Sequence, residues 1–239
     1  MGNFLTRAAW VRVIPFVLFM VLLAVRGHFM PAEGEDPTGA IDPRWIYGLS
    51  VLLVSASLIF FRREYSELLA GSRLKFSHVL LSIAVGVVVF VLWTRLTAPW
   101  MMLGEPAAGF RPVDGEGELM WDLILVRWVG AALMVPVMEE LFWRGFLMRW
   151  VDNPDFEKVD PASVTYKAIA LSTLVFMLAH TQWLAAIVAG LAYALLYRYT
   201  RSLWSAVLAH AAAQAGLAGS RTWPWLVAPL GASAVLVFA

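Results

Sequence analysis

The chain has no cysteine in 239 residues, which excludes disulfides, thiolate catalysis and cysteine-ligated metal sites. It is also poor in charge. Asp, Glu, Lys and Arg make up 15% of the residues, against about 25% in ordinary soluble domains. The formal net charge is +1, and no basic patch concentrates it, so no nucleic-acid partner is expected.

Apolar residues take the place of the missing charge. They make up 61% of the chain, and the mean hydropathy is +0.72. A soluble domain of this size could not bury so much apolar surface, so the solvent must be a lipid bilayer. The composition therefore predicts an all-α polytopic integral membrane protein, with one membrane domain over residues 1–239.

The apolar segments are long enough to be counted as membrane helices, each of which needs about 20 residues. Eight spans are predicted, and the fourth is long. The first has the basic-then-apolar layout of a signal peptide, but no small-residue cleavage site follows it, so it is expected to be retained. The spans lie near 9–26, 45–61, 76–98, 120–150, 165–181, 183–200, 202–219 and 223–239.

Lysine and arginine cluster in alternate loops: after span two, around the connector 152–163, and after span six. Basic residues near span ends favour the cytoplasmic side. Both termini are therefore predicted to be cytoplasmic.

Few ionisable groups interrupt the spans, and such groups usually face the protein interior and mark function. The segment VMEELFWRGF in span four carries Glu139, Glu140 and Arg144. His180 ends span five, and His210 lies in span seven with Gln214 one turn further on. These six residues are the candidate site.

Helix geometry suggests different tasks for the two adjacent acids. Glu140 and Arg144 are four residues apart, so they share a face and can pair. Glu139 points about 100° away from Glu140, so it is free to face a polar cavity. Counted from the basic loops at about 1.5 Å per residue, Glu139, His210 and His180 lie roughly 15, 14 and 20 Å deep. The three are therefore expected to meet in one pocket that opens toward the cytoplasmic half.

Such a pocket has the groups needed to hydrolyse an amide without a covalent intermediate. A carboxylate and a histidine can hold a water molecule and take its proton. A second histidine and an amide can donate hydrogen bonds to an oxyanion. Structural explanations also exist for each group: the Glu140–Arg144 pair can hold a helix, Gln214 can bridge helices, and a histidine can bond a carbonyl.

The same residues resemble the motifs of a known family. Glu139 to Gly145 resembles the EExxxR motif of the CAAX-processing and bacteriocin-processing (CPBP, or ABI) intramembrane endopeptidases. Phe176 to His180 is similar to the family's FxxxH motif. His210 matches the first position of the third motif, HxxxN, where Gln214 replaces the usual asparagine. The resemblance covers about residues 120–219 and includes the type II CAAX prenyl endopeptidases.

The resemblance implies a glutamate-dependent intramembrane protease that cuts near the C-terminal region of membrane-anchored proteins. Glu139 and His180 would activate water, His210 and Gln214 would stabilise the oxyanion, and Glu140 with Arg144 would support the site. No cofactor is implied. One glutamate and two histidines also resemble a zinc shell, so a metalloprotease is the minority alternative. Gln214 is one methylene longer than asparagine, which puts its own contact in question.

The sequences of these motifs are most similar to those of a bacterial branch of the family that is associated with exosortase systems. That similarity implies a bacterial plasma membrane, substrates that carry C-terminal sorting signals, and possible sorting-system partner proteins. Two other classes compete. A proton-coupled transporter could use the same groups as a relay, although the halves of the chain do not repeat. A non-catalytic scaffold or immunity protein could keep the fold without turnover.

Overall fold

The computed structural model describes residues 6–29, 42–69, 74–104 and 112–227, and this part of the chain is helical with no strands. Five helices are long and apolar enough to cross a membrane. The prediction of an all-α polytopic membrane protein is confirmed. The helices are α1 (Arg7–Phe29), α2 (Arg44–Phe61), α3 (Ser66–Leu69), α4 (Phe76–Arg95), α5 (Trp121–Asp152), α6 (Tyr166–Leu178), α7 (Trp183–Thr200) and α8 (Leu203–Val227).

Two predicted spans differ from the structure. The fifth, expected over 165–181, is α6, a shorter helix of 13 residues. The turn expected between the seventh and eighth spans is absent from the described residues, because α8 continues unbroken to Val227. Ser220 and Thr222, between the two predicted spans, donate their hydroxyls to helix carbonyls one turn back. The rest of the eighth span, 228–239, lies outside the described residues.

The long helix α5 is not a regular α-helix. Two stretches, Gly130–Met134 and Leu141–Leu147, are π-helical, a geometry that appears frequently at functional sites. The first stretch begins at Gly130, where an added Cβ would lie 2.6 Å from the hydroxyl of Tyr47. Pro136 lies two residues after that stretch. The second stretch carries Arg144 and begins immediately after Glu140.

The basic loops gather at one end of the helix bundle, which is called the basic end below. Trp204 donates to the carbonyl of Leu68 at 3.2 Å, and Arg198 to that of Ala162 at 3.2 Å. These bonds tie the segment after α2, the connector after α5 and the α7–α8 turn together. The chain is thus an integral membrane protein with its basic loops on one side, and the cytoplasmic location of that side remains a prediction.

The helices α4 and α8 pack closely because small residues face each other. A Cβ added at Gly86 of α4 would overlap the backbone oxygen of Ala209. A Cβ at Gly216 of α8 would lie 2.9 Å from the ring of Phe90. Small residues at helix crossings allow such approach between membrane helices. The contact fixes the segment of α8 that carries His210.

Candidate active site

The centre of the candidate site is a buried ion pair on α5. Arg144 donates to Oε1 of Glu140 at 3.0 Å, the pairing that the four-residue spacing predicts. Both side chains are buried. The guanidinium also donates to the carbonyl of Gly190 at 3.2 Å and lies over the rings of Phe176 and Tyr193. Arg144 therefore joins α5 to α6 and α7 while it offsets the charge of one carboxylate.

His210 shares that carboxylate. Its Nδ1 atom lies 2.9 Å from Oε1 of Glu140, and the ring stacks on Tyr193 with centroids 5.0 Å apart. A carboxylate can only accept hydrogen bonds, so Nδ1 carries the hydrogen and donates it. The Nε2 atom is then turned toward Gln214, whose Nε2 atom is 3.5 Å away. Glu140 thus acts on His210 as well as on Arg144, which the sequence did not predict.

His180 lies two residues beyond the end of α6. Its Nδ1 atom donates to the carbonyl of Phe176 at 2.7 Å, and Trp93 of α4 meets the ring edge-on at 5.6 Å. Because a carbonyl oxygen only accepts, the neutral ring has a free lone pair on Nε2. This histidine does make the carbonyl bond that a purely structural role would require, and it also faces a cavity.

The cavity brings three of the predicted residues together. His180, His210 and Gln214 all line it, with Tyr193 and Trp93 among the other walls. The space open to the centres of water molecules is about 20 Å³, which is enough for one water molecule. Side chains of α4, α6, α7 and α8 and of the residues just after α6 thus converge on one pocket large enough for a water molecule.

Of the four residues predicted to be catalytic, Glu139 is the one that does not line this cavity. Its side chain is buried, and its Oε2 atom has no hydrogen-bond partner among the described residues. Oε2 of Glu140 is in the same situation. Glu139 is therefore a buried, incompletely bonded carboxylate outside the lining of the cavity.

Zinc would need a set of ligands that converge. In the described residues, no three His, Asp or Glu side chains form a group that could hold a metal ion. The donor set of the metalloprotease alternative is therefore not assembled in that part of the chain.

Several residues of the site were not predicted. Tyr193, Trp93 and Gly86 all position a predicted histidine or its helix. The pattern Ser82-xxx-Gly86 on α4, matched by Ala209-xxx-Ala213 on α8, could have indicated the close crossing. No sequence signal marks Tyr193, because a tyrosine in a membrane helix is usually an interfacial residue.

A second polar cluster was also missed. Arg12 binds both carboxylate oxygens of Glu67 at 2.9 and 2.6 Å, and Arg149 reaches the same carboxylate at 3.3 Å. Glu157 of the connector lies 3.2 Å from Arg12. We call these four residues the charged junction. In the sequence its arginines indicated only which loops are basic.

Comparison with known families supports the resemblance in the motifs. Residues 121–216 match the family model Rce1-like, described as type II CAAX prenyl endopeptidase Rce1-like. The match contains all six predicted site residues and agrees with the predicted core of about 120–219. It does not distinguish branches, so the exosortase-associated branch remains a prediction. Neither the curated proteins nor the solved structures give a significant match.

Proposed function

We propose that the chain is a glutamate-dependent intramembrane endopeptidase. The premise is the match of residues 121–216 to the Rce1-like family model. The family match indicates CAAX-type protease activity. The observation that supports the residue assignment is the convergence of His180, His210 and Gln214 on one cavity, with His210 held by Glu140. The substrate is expected to be a membrane-anchored protein cut near its C-terminal region.

In the proposed reaction a water molecule in the cavity attacks the scissile carbonyl carbon. His180 accepts a hydrogen bond from that water at Nε2, the lone pair that the bond to Phe176 leaves free. Glu139 takes the proton as general base, because its Oε2 atom has no other partner in the described residues. This step requires the side chain of Glu139 to turn toward the cavity, a change of rotamer within a buried site.

The oxyanion that forms is stabilised by hydrogen bonds from the opposite wall. Gln214 donates from its amide, and His210 donates from Nε2 when its ring is protonated. The carboxylate of Glu140, 2.9 Å from Nδ1, holds the ring with Nε2 turned toward Gln214. The C–N bond then breaks, and the leaving amine takes the proton that Glu139 accepted, so the carboxylate is regenerated.

The test is cleavage of a membrane-anchored reporter by the full chain in proteoliposomes. The variants Glu139→Gln and His180→Ala should each abolish cleavage while the helical content stays that of the parent. Activity is expected to persist in a strong zinc chelator, because no metal takes part. Full activity in either variant would refute the assignment. Loss of activity in the chelator, with recovery on added zinc, would favour the metalloprotease.

Assays in the same proteoliposomes distinguish the remaining alternatives. A transporter would show counterflow of its solute, which Glu139→Gln would abolish, and no cleaved product. A scaffold or immunity protein would show neither activity. Gln214→Asn restores the residue that is usual in the family, so this variant should keep or raise cleavage if Gln214 serves the oxyanion.

A further inference from the structure

Two buried polar atoms in the middle of α5 have no hydrogen-bond partner among the described residues. One is Oε2 of Glu139, and the other is Nε1 of Trp143, which is an N–H donor. Both residues are buried. A buried donor without a partner costs free energy, and a phenylalanine would fill apolar space without that cost. Packing alone therefore does not account for an indole at this position.

The change of winding in α5 brings these two residues onto the same side of the helix. Residues Val135–Glu140 are α-helical, and Leu141–Leu147 are π-helical. An α-turn takes about 3.6 residues, and a π-turn, which closes between i and i+5, takes more. Four residues across the boundary between the two windings are therefore close to one whole turn. Trp143 lies one turn from Glu139, on the side of the basic end.

Aromatic neighbours on two other helices hold the ring of Trp143. Phe16 of α1 meets it edge-on with centroids 5.0 Å apart, and Phe176 of α6 does the same at 5.4 Å. Phe142 packs on it from the same helix at 4.7 Å. Such edge-to-face contacts are a favoured arrangement of aromatic pairs. The indole is thus fixed by its surroundings, and a contact between the two residues must be made by the side chain of Glu139.

The contact between Trp143 and Phe176 also places Glu139 at the level of His180. The helices α5 and α6 run in opposite directions, because α5 ends and α6 begins at the basic end. One turn back along α5 leads from Trp143 to Glu139, and one turn forward from Phe176 leads to His180. The bond from His180 to the carbonyl of Phe176 keeps these two residues together. Glu139 is therefore held beside the histidine that the proposed reaction pairs with it.

We propose that Trp143 is a positioning residue for the general base. Its indole N–H donates to one oxygen of Glu139, and this bond holds the carboxylate in the turned rotamer that the proposed reaction requires. Both oxygens of a carboxylate accept hydrogen bonds, so one oxygen is fixed by Trp143 while the other faces the cavity and takes the proton from water. A bond to an ionised acceptor is stronger than one between neutral groups. The inference rests on the proposed function and adds a residue to its machinery.

The first test separates the chemical step from substrate binding. Trp143→Phe removes the N–H donor and keeps an aromatic ring. In proteoliposomes we expect kcat for reporter cleavage to fall by about 10-fold, the factor that corresponds to about 1.4 kcal/mol, with KM unchanged. Trp150→Phe is the matched control, because it makes the same change on the same helix further from Glu139, and it should keep the parental kcat. A parental kcat in Trp143→Phe, or a change in KM alone, would overturn the inference.

The second test needs no proteolysis. Glu139→Met removes the acceptor and keeps an unbranched side chain of similar length. Thermal unfolding in detergent of the parent, the two single variants Trp143→Phe and Glu139→Met, and the double variant forms a double-mutant cycle. Trp143→Phe should lower the unfolding temperature more in the parent than in Glu139→Met, because the lost ring volume is common to both and cancels. Equal shifts in the two backgrounds would contradict the contact.

A spectroscopic measurement decides the case if Trp143→Phe does not fold. The chain has 12 tryptophans, and their indole N–H signals can be recorded in the full chain labelled with ¹⁵N-tryptophan. At least one signal should move upfield in Glu139→Met as its hydrogen bond is lost, and an unchanged spectrum would refute the contact. A chain that shows the coupling but never cleaves a reporter would refute the proposed function and leave the contact between Trp143 and Glu139 standing.

Discussion

Two largely buried polar clusters lie among the residues that the structure describes, and they are built on different principles. In the charged junction two arginines, Arg12 and Arg149, meet two glutamates, Glu67 and Glu157, and every guanidinium has carboxylate or carbonyl partners. In the candidate site two glutamates meet one arginine, and Glu139 and Glu140 each leave an oxygen without a partner in the described residues. The junction is balanced in charge when the exposed Glu157 is counted, whereas the site pairs two buried carboxylates with one guanidinium.

This difference indicates which cluster does chemistry. A buried charge without a partner costs several kcal/mol, so a cluster that only holds helices together should have none. The oxygens of Glu139 and Glu140 that lack a partner in the described residues therefore fit the general base proposed for the site, whereas the junction fixes helices.

The substitution with the largest expected effect removes the carboxylate of Glu139. Glu139→Gln should lower the cleavage rate by about 10²–10⁴-fold, the usual contribution of a general base. The free energy of unfolding should stay the same or rise, since the glutamine carries no buried charge. Reporter cleavage and thermal unfolding in detergent measure the two quantities.

The matched control is the neighbouring acid. Glu140→Gln should lower both activity and stability, because Arg144 then loses its charged partner. Equal losses of stability in the two variants would show that Glu139 is paired as Glu140 is, and the contrast between the acids would fail.

The next effect unbalances the junction. Glu67→Gln leaves Arg12 and Arg149 buried beside a neutral amide, so the free energy of unfolding should fall by about 3–5 kcal/mol. Cleavage by the fraction that remains folded should be little changed. Glu64→Gln is the control, because Glu64 pairs with the exposed Arg7 at 2.8 Å, and surface pairs contribute little. The free energies of unfolding of Glu67→Gln and Glu64→Gln, measured by denaturation under the same conditions, show whether the buried pair contributes more to stability than the exposed pair.

The substitution with the next smaller expected effect displaces α8, the helix that carries His210, and changes no charged residue. Gly86→Ala places a methyl group against the backbone of Ala209, and such overpacking costs about 1–3 kcal/mol. Because α8 must shift, the contact between His210 and Glu140 should weaken. The cleavage rate should then fall by a larger factor than the loss of folded protein accounts for. Gly27→Ala is the control, since a Cβ there meets nothing within 4 Å. If both variants cleave at the parental rate, the crossing does not position His210.

The smallest effect concerns a pair at the start of α2. Burial raises the pKa of Asp42, but the hydrogen bonds and charge of Arg44 outweigh it, so the pKa of this carboxyl is lower than usual. Its contribution to stability is then present above the ordinary pKa of an aspartate and is lost as the pH falls through the lowered value. Unfolding of the parent and of Asp42→Asn, compared at neutral and acidic pH, should differ at neutral pH and converge in acid.

The sequence was sufficient for the parts of the site that depend on local spacing. The pairing of Glu140 with Arg144 follows from helix periodicity, and the convergence of His180 with His210 followed from depth and from the motifs. The assignment of Glu140 to Arg144 alone was incomplete, since His210 bonds the same oxygen. That contact depends on how α5 and α8 approach each other, which residues 70 positions apart do not reveal.

The charged junction could not have been found in this way. Arg12, Glu67 and Arg149 lie in segments that look like ordinary basic loops and span ends, and no spacing connects them. Their contact depends on tertiary packing at the basic end. The shortness of α6 was missed for a similar reason, because apolar residues continue past Leu178 into the loop that carries His180.

The π-helical winding of Leu141–Leu147 has a consequence for insertions and deletions. A π-turn closes between residues i and i+5, so it contains one residue more than an α-turn. Deleting one residue inside this stretch would let it rewind as an α-helix, which takes up the missing residue and keeps the helix on either side in register. The same deletion in a regular α-helical part of α5 would rotate everything beyond it by about 100° around the helix axis. The π-helical stretches are therefore the parts of α5 where the loss of one residue displaces the two ends of the helix least.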